Sequence, residues 1–445
     1  MSELDDLFAF LSIPSVSALP EHAADVERCA DFLTAKLSSL GFTARKHLTD
    51  IHPIVVAHSP KVEGKPTVLI YGHYDVMPVD PISAWQNDPF TPTVRDGRVY
   101  ARGASDDKGE IMAHILGAER IIREEGALPL NVIYLLEGEE ERGSESLFRF
   151  IKDPEVQKEL ACDIIVVSDT GMAAPDIPSF SYGLKGLCCF ELEVHGPCMD
   201  LHSGIFGGAV ANPITTLCEM VASTHDADNR VAVEGFYDGV APIQDWERES
   251  WRRVPGMSDK ELADLTGVPE LRTETGYSGA ECVYARPTLE LNGISGGYEG
   301  TGSKTVIPTH AIAKMSCRLV PGQDPEAVCR KVEAHFRKVC PPSVRMKFTM
   351  QHTGEAYLSD PNSPLGKAAQ RAQQETFGNP PVLVREGGSI PIIAEISKVL
   401  GKDALFLGLD LPDAQIHSPN ENMRLEIFHK GIEMAARVLK EMAKA

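Results

Sequence analysis

Runs of apolar, β-branched residues that end in carboxylates or an imidazole recur along this chain, and that layout constrains the fold more than any other feature. They read TVLIYGHYD (67–75), NVIYLLEGEEE (131–141), DIIVVSD (163–169) and DALFLGLD (403–410), the last leading into PDAQIHSPN (412–420). Strands that are apolar along their whole length are buried on both faces, as in a sheet covered by helices. Between the first two runs, Ile111, Ile115, Ala118 and Ile122 recur at helical spacing, and Gly126 offers a stop. Alternating strands and helices of this kind predict an α/β domain with a mixed, mostly parallel sheet covered by helices. Sites in such sheets form beyond the carboxyl ends of the strands, which is where these polar residues fall.

From about Leu184 the pattern changes. CCFELEVHGP alternates like a half-exposed strand, ANPITTLCEMVAST reads as a helix, and TLELNGISG and HAIAKMSCRLVPG read as strands. DPEAVCRKVEAHFRKVC then reads as a helix and SVRMKFTMQ as a strand, which completes a ferredoxin-like α+β order. The expected organisation is a discontinuous catalytic domain of residues 1–184 and 353–445, with a lid or dimerisation domain inserted at 185–352. Residues of about 227–284 read as a polar, partly helical insertion within that lid.

A formal net charge of −21 argues against nucleic acid or an anionic membrane surface as partner. No apolar run is long enough to span a bilayer, and no basic residue precedes the first apolar stretch, so a cytoplasmic protein is expected. The cysteines are scattered without a CxxC pair, which points to reduced thiols used in packing and away from thiolate zinc.

His73 and Asp75 sit two apart, so on an extended chain they share a side. Imidazole nitrogen and carboxylate oxygen together suit Zn²⁺ or Mn²⁺. The strand ends supply His73, Asp106 or Asp107, the run Glu139-Glu140-Glu141, Asp169 and His417. That is more than one ion needs, and two ions ~3.5–4 Å apart with a bridging carboxylate would use them all. Two decoys fall away. GGYEGTGSKT (296–305) lacks the Gly-Lys-Ser/Thr of a phosphate loop, and GGSIP is not a nucleophile elbow.

The motifs GHYDV, ARGASDDKG, EGEEERGSES, SDT, DLHSG and AQIHSPNE resemble those of the di-zinc metallopeptidase family of aminoacylase, glutamate carboxypeptidase and succinyl-diaminopimelate desuccinylase. YGLKGLCCFELEV, DLHSGIFGG, GSKTVIP, CRLVPG and REGGSIP are similar to its cytosolic nonspecific dipeptidase and carnosinase branch. The resemblance implies that His73, Asp106 and Asp169 hold one metal and that Asp106, Glu141 and His417 hold the other. It implies a cis Asp106–Asp107 peptide, Asp75 as the group orienting His73, and Glu140 as general base, counted back from Gly143 and Ser144. It also implies a homodimer in which His202 crosses to the partner's site and donates to the developing oxyanion.

An α-carboxylate on the substrate calls for a cation, and Arg318 is the candidate. Thr305 and Ser389 match positions that help hold that carboxylate. The expected activity is metal-dependent hydrolysis of dipeptides by a metal-bridged hydroxide, with Zn²⁺ the first choice of ion and Mn²⁺ the second. An N-acyl-amino-acid deacylase is the alternative.

Overall fold

The strand Thr67–His73 lies inside a nine-stranded sheet, hydrogen-bonded in parallel to Asn131–Glu137 on one side and Ile164–Val167 on the other. Ala404–Phe406 continues the parallel pairing beyond Ile164–Val167. The apolar runs are therefore the middle of the sheet, and both faces are covered. Val68 and Ile70 pack into a core with Ile111, Ile115, Phe428 and Ile432. Leu69 and Tyr71 face a second core with Leu147, Ile151, Ile392 and Phe406. Antiparallel pairs close the sheet: Thr43–His47 with Ile54–His58 at one end, and Tyr357–Leu358 on Ser179–Leu184 at the other. This computed structural model, which describes residues 3–387 and 390–445, has the mixed α/β architecture that the sequence predicts.

The helix Lys108–Glu125 ends at Gly126, whose φ of 83° suits the left-handed cap. It is less amphipathic in practice than its spacing suggests, because every residue from Lys108 to Ala118 is buried. The sheet covers one side and the helix Leu425–Met442 the other, so close that a Cβ on Gly117 would lie 2.7 Å from the Ala435 Cβ. The Lys108 ammonium is accommodated by the carbonyls of Ile13 (2.6 Å) and Phe10 (3.3 Å).

A separate four-stranded antiparallel sheet has the order Thr288–Gly296, His310–Leu319, Gly186–His195, Arg345–Gly354. With the helices Pro213–Ala222 and Pro325–Val339 contributing Leu217, Met220, Val328 and Phe336 to its core, this is the ferredoxin-like arrangement. Two connections join it to the large sheet, through Lys185 and through residues 355–356. They cross so closely that a Cβ on Gly186 would sit 2.7 Å from both the Ala356 nitrogen and the Gly354 oxygen.

The 227–284 segment is not confined to the small sheet. Its Ile243, Trp251, Val254, Ala280 and Tyr284 form one apolar cluster with Val382 and Val384, which belong to a strand of the large sheet. Ser250 Oγ accepts from the Leu383 amide at 2.7 Å, and Arg253 donates to the Pro381 carbonyl at 2.9 Å. Tyr182 and Arg385 both donate to Glu247, the tyrosine at 2.6 Å. On the other side, Gln323 and Lys331 of the small unit donate to the carbonyls of Phe236 (2.6 Å) and Gly235 (2.8 Å). Among the described residues, no helix is long and apolar enough to cross a membrane.

Candidate metal centre

Each polar strand end delivers its side chain to one place. His73 closes its strand, Glu140 and Glu141 follow Asn131–Glu137 in a short 3-10 turn, and Asp169 follows Ile164–Val167. Asp106 arrives from the loop before helix Lys108–Glu125, across a cis Asp106–Asp107 peptide. His417 comes from the long loop after Ala404–Phe406. His73, Asp106 and Asp169 offer ligand atoms within 4.8 Å of one another, and so do Asp106, Glu141 and His417. Asp106 is common to both groups. His73 Nε2 lies 3.0 Å from its Oδ1, and His417 Nε2 lies 2.8 Å from its Oδ2.

The donor set fits divalent ions. His73 Nε2 is buried with no hydrogen-bond partner, although a carboxylate oxygen is 3.0 Å away. A nitrogen and carboxylates gathered this tightly without hydrogen-bond geometry are what a cation between them would satisfy. The other ring nitrogen, Nδ1, is 3.1 Å from the main-chain oxygen of Asp75, which orients the imidazole. The Asp75 carboxylate has a second task, accepting the amides of Glu140 (3.2 Å) and Glu141 (3.1 Å).

Charge is concentrated here. Burial opposes ionisation of Asp106, but the adjacent His417 and His73 imidazoles outweigh it and hold the carboxyl well below the usual range. Asp106 and Glu141 in turn push the His417 imidazole up to about 10. Burial, reinforced by the Glu141 and Asp75 charges, pushes Glu140 up to about 7. Burial and the Asp106 charge raise Asp169.

The three consecutive glutamates separate by direction. Glu139 is buried and accepts the amides of His52 (2.8 Å) and Ser146 (3.0 Å). Glu141 stands with Asp106 and His417, 3.2 Å from His417 Nε2. Glu140 lines a cavity of about 560 Å³ together with Asp106, Asp169 and His417. Met172, Leu184, Ile390, Leu411 and Ile416 make its apolar wall.

Other candidate residues lie elsewhere. His202 is exposed, pairs with Val306 in a two-stranded ribbon, and does not line this cavity. Thr305 is its neighbour, accepting the Ser203 amide at 3.1 Å. Arg318, on the strand His310–Leu319, lines a second cavity of about 300 Å³ with Lys185, His225, Arg286 and Gly387. Ser389 falls outside the described residues.

Further buried acids surround the centre, and of these only Asp107 was among the sequence candidates. Glu137 accepts from Tyr71 at 2.7 Å and from Ser144 at 2.9 Å, and burial with the Asp75 charge pushes it up to about 8. Asp107 accepts the His73 amide at 3.0 Å. Glu421 takes the amides of Gly103, Ser105 and Asp106. Its one signal was position, four residues after His417 in the AQIHSPNE motif.

Peptidase family M20/M25/M40 matches residues 69–441. The chain is 35% identical to the Cys-Gly metallodipeptidase dug1 of Schizosaccharomyces pombe, over 97% of this chain and 94% of that protein. It is 32% identical to the Beta-Ala-His dipeptidase of Mus musculus, over 88% of this chain and 80% of the relative. A solved metallo-carboxypeptidase of the same family, Sso-CP2 from Sulfolobus solfataricus, superposes with a TM-score of 0.87 at 32% identity, covering 100% of both chains.

Proposed function

This chain belongs to peptidase family M20/M25/M40, and from that membership we propose that it hydrolyses dipeptides bearing a free C-terminal carboxylate. It is a hydrolase of the metallopeptidase class. The observation that carries the finer reading is the sharing of Asp106 between two ligand groups whose cavity also holds Glu140. His73, Asp106 and Asp169 would hold one divalent ion, and Asp106, Glu141 and His417 the other, with Zn²⁺ ahead of Mn²⁺.

Such ions, when bound, polarise the scissile carbonyl and make water acidic enough to react near neutral pH. Glu140 accepts the proton of the attacking water on its carboxylate and returns it to the leaving amine. The Asp75 carboxylate keeps Glu140 in place through the Glu140 amide. The developing oxyanion needs a donor, and His202 of the partner subunit fills that role in a homodimer. Support for supply from a partner is that His202 is exposed and does not line the cavity of its own chain.

The substrate carboxylate goes to Arg318, and Thr305 and Ser389 help to hold it. The cationic surroundings of Arg318 favour this: Lys185 and Arg286 line the same cavity. The division into a catalytic unit of 1–184 and 353–445 and a lid of 185–352 belongs to the same proposal. So does a reducing, cytoplasmic setting, supported by free cysteines throughout.

The test is a panel of unblocked dipeptides incubated with enzyme and Zn²⁺ or Mn²⁺, with released amino acids measured. Turnover is expected. No hydrolysis of any free dipeptide, or faster release of acetate or succinate from N-acyl amino acids, overturns the proposal.

A further inference from the structure

The bridging ligand does not sit on a strand. Asp106 lies in a loop, and the His417 loop is equally irregular, with left-handed φ angles of 57°, 57° and 66° at Gln415, His417 and Asn420. Left-handed non-glycine residues persist only where their surroundings hold them. One side chain ties the two loops together. Glu421 is 1% exposed, and both its oxygens are fully used. Oε2 accepts from Arg102 Nη1 at 2.8 Å and from the Gly103 amide at 3.0 Å. Oε1 accepts the amides of Ser105 at 3.0 Å and Asp106 itself at 3.1 Å. The Ala101 amide donates to the Glu421 carbonyl at 3.2 Å, and Ser105 Oγ to the Asn422 carbonyl at 3.2 Å.

We propose that Glu421 is the positioning residue of the metal centre, fixing Asp106 and His417 relative to each other so that one carboxylate can serve two ions. Its four accepted hydrogen bonds are charge-assisted, and they reach the main chain of the bridging ligand from a point four residues beyond another ligand. No amide can replace it. A glutamine has one acceptor oxygen, and its NH₂ would face donors on either side. The inference rests on the metal-binding reading of the site but not on the identity of the substrate.

The test is titration of the metal-stripped protein with Zn²⁺ and with Mn²⁺. Glu421→Gln is expected to lower affinity for both ions about 10–100-fold while the stripped protein stays folded by circular dichroism. Glu247→Gln serves as comparator, being a buried, multiply bonded glutamate far along the chain from every ligand. It should lower thermal stability and leave metal affinity unchanged. If Glu421→Gln does not fold, Glu421→Asp takes its place, keeping the charge on a shorter stem. Wild-type affinity in the variant that folds, or a loss no larger than that of Glu247→Gln, overturns the inference. A wild-type protein that binds two ions but cleaves no dipeptide would sink the proposed function and leave this one standing.

Discussion

Glu139 and Glu140 are consecutive residues whose carboxylates face opposite ways, one into the protein against the His52 and Ser146 amides, the other into the cavity. Their substitutions should therefore separate cleanly. Glu140→Gln is expected to lower kcat by about 10²–10⁴-fold with KM and metal content retained. Glu139→Gln should cost about 2 kcal/mol of stability, the scale of a charge-assisted hydrogen bond lost in the interior, with little change in kcat. Steady-state kinetics beside thermal unfolding check both.

Asp106 belongs to both ligand groups and Asp169 to one. Asp106→Asn should leave a protein that retains neither ion after dialysis against buffer. Asp169→Asn should retain one. Metal analysis of the dialysed variants decides, and equal stoichiometry in the two would contradict the sharing.

Metal binding should release protons. In the metal-free protein, the Asp106 and Glu141 carboxylates beside its Nε2 raise His417 to about 10, so its proton is present at neutral pH and an incoming ion must displace it. Affinity for Zn²⁺ is thus expected to rise with pH up to about 10, and calorimetric heats should vary with the ionisation enthalpy of the buffer. For the metal-free fold the sign reverses. A raised histidine stabilises fully below its unfolded value near 6.5, and that contribution fades as pH climbs toward about 10.

Trp251 is 2% exposed in the cluster that joins the 227–284 segment to Val382 and Val384. Trp251→Ala should cost about 3–5 kcal/mol locally. The readout is hydrogen exchange of the Leu383 amide, which donates to Ser250 Oγ and should exchange much faster. The Ile70 amide in the middle of the large sheet should keep its protection.

Much of the fold was legible because fully apolar strands have few places to go. Thr67–His73 and Ile164–Val167 could only be interior strands, and the acids beyond them could only collect at one edge of the sheet. Periodicity misled at helix Lys108–Glu125, where polar residues such as Lys108, Glu110 and His114 are buried by partners that local pattern cannot reveal. Lys108 is satisfied by carbonyls of residues 10 and 13, and Glu110 by the Leu409 amide at 3.0 Å. Glu421 went unnoticed for the same reason, since its partners are main-chain amides more than 300 positions away. The polarity of the 227–284 segment concealed a compact apolar cluster that closes on Val382 and Val384 of the large sheet.

That segment adds a tie between the two sheets beyond the covalent connections. Two connections between the sheets run side by side at Gly186 and Gly354. Trp251 and Glu247, held against Val384, Tyr182 and Arg385, make a further attachment to the large sheet. Separating the small sheet from the large one therefore means breaking this cluster as well as bending the paired connections.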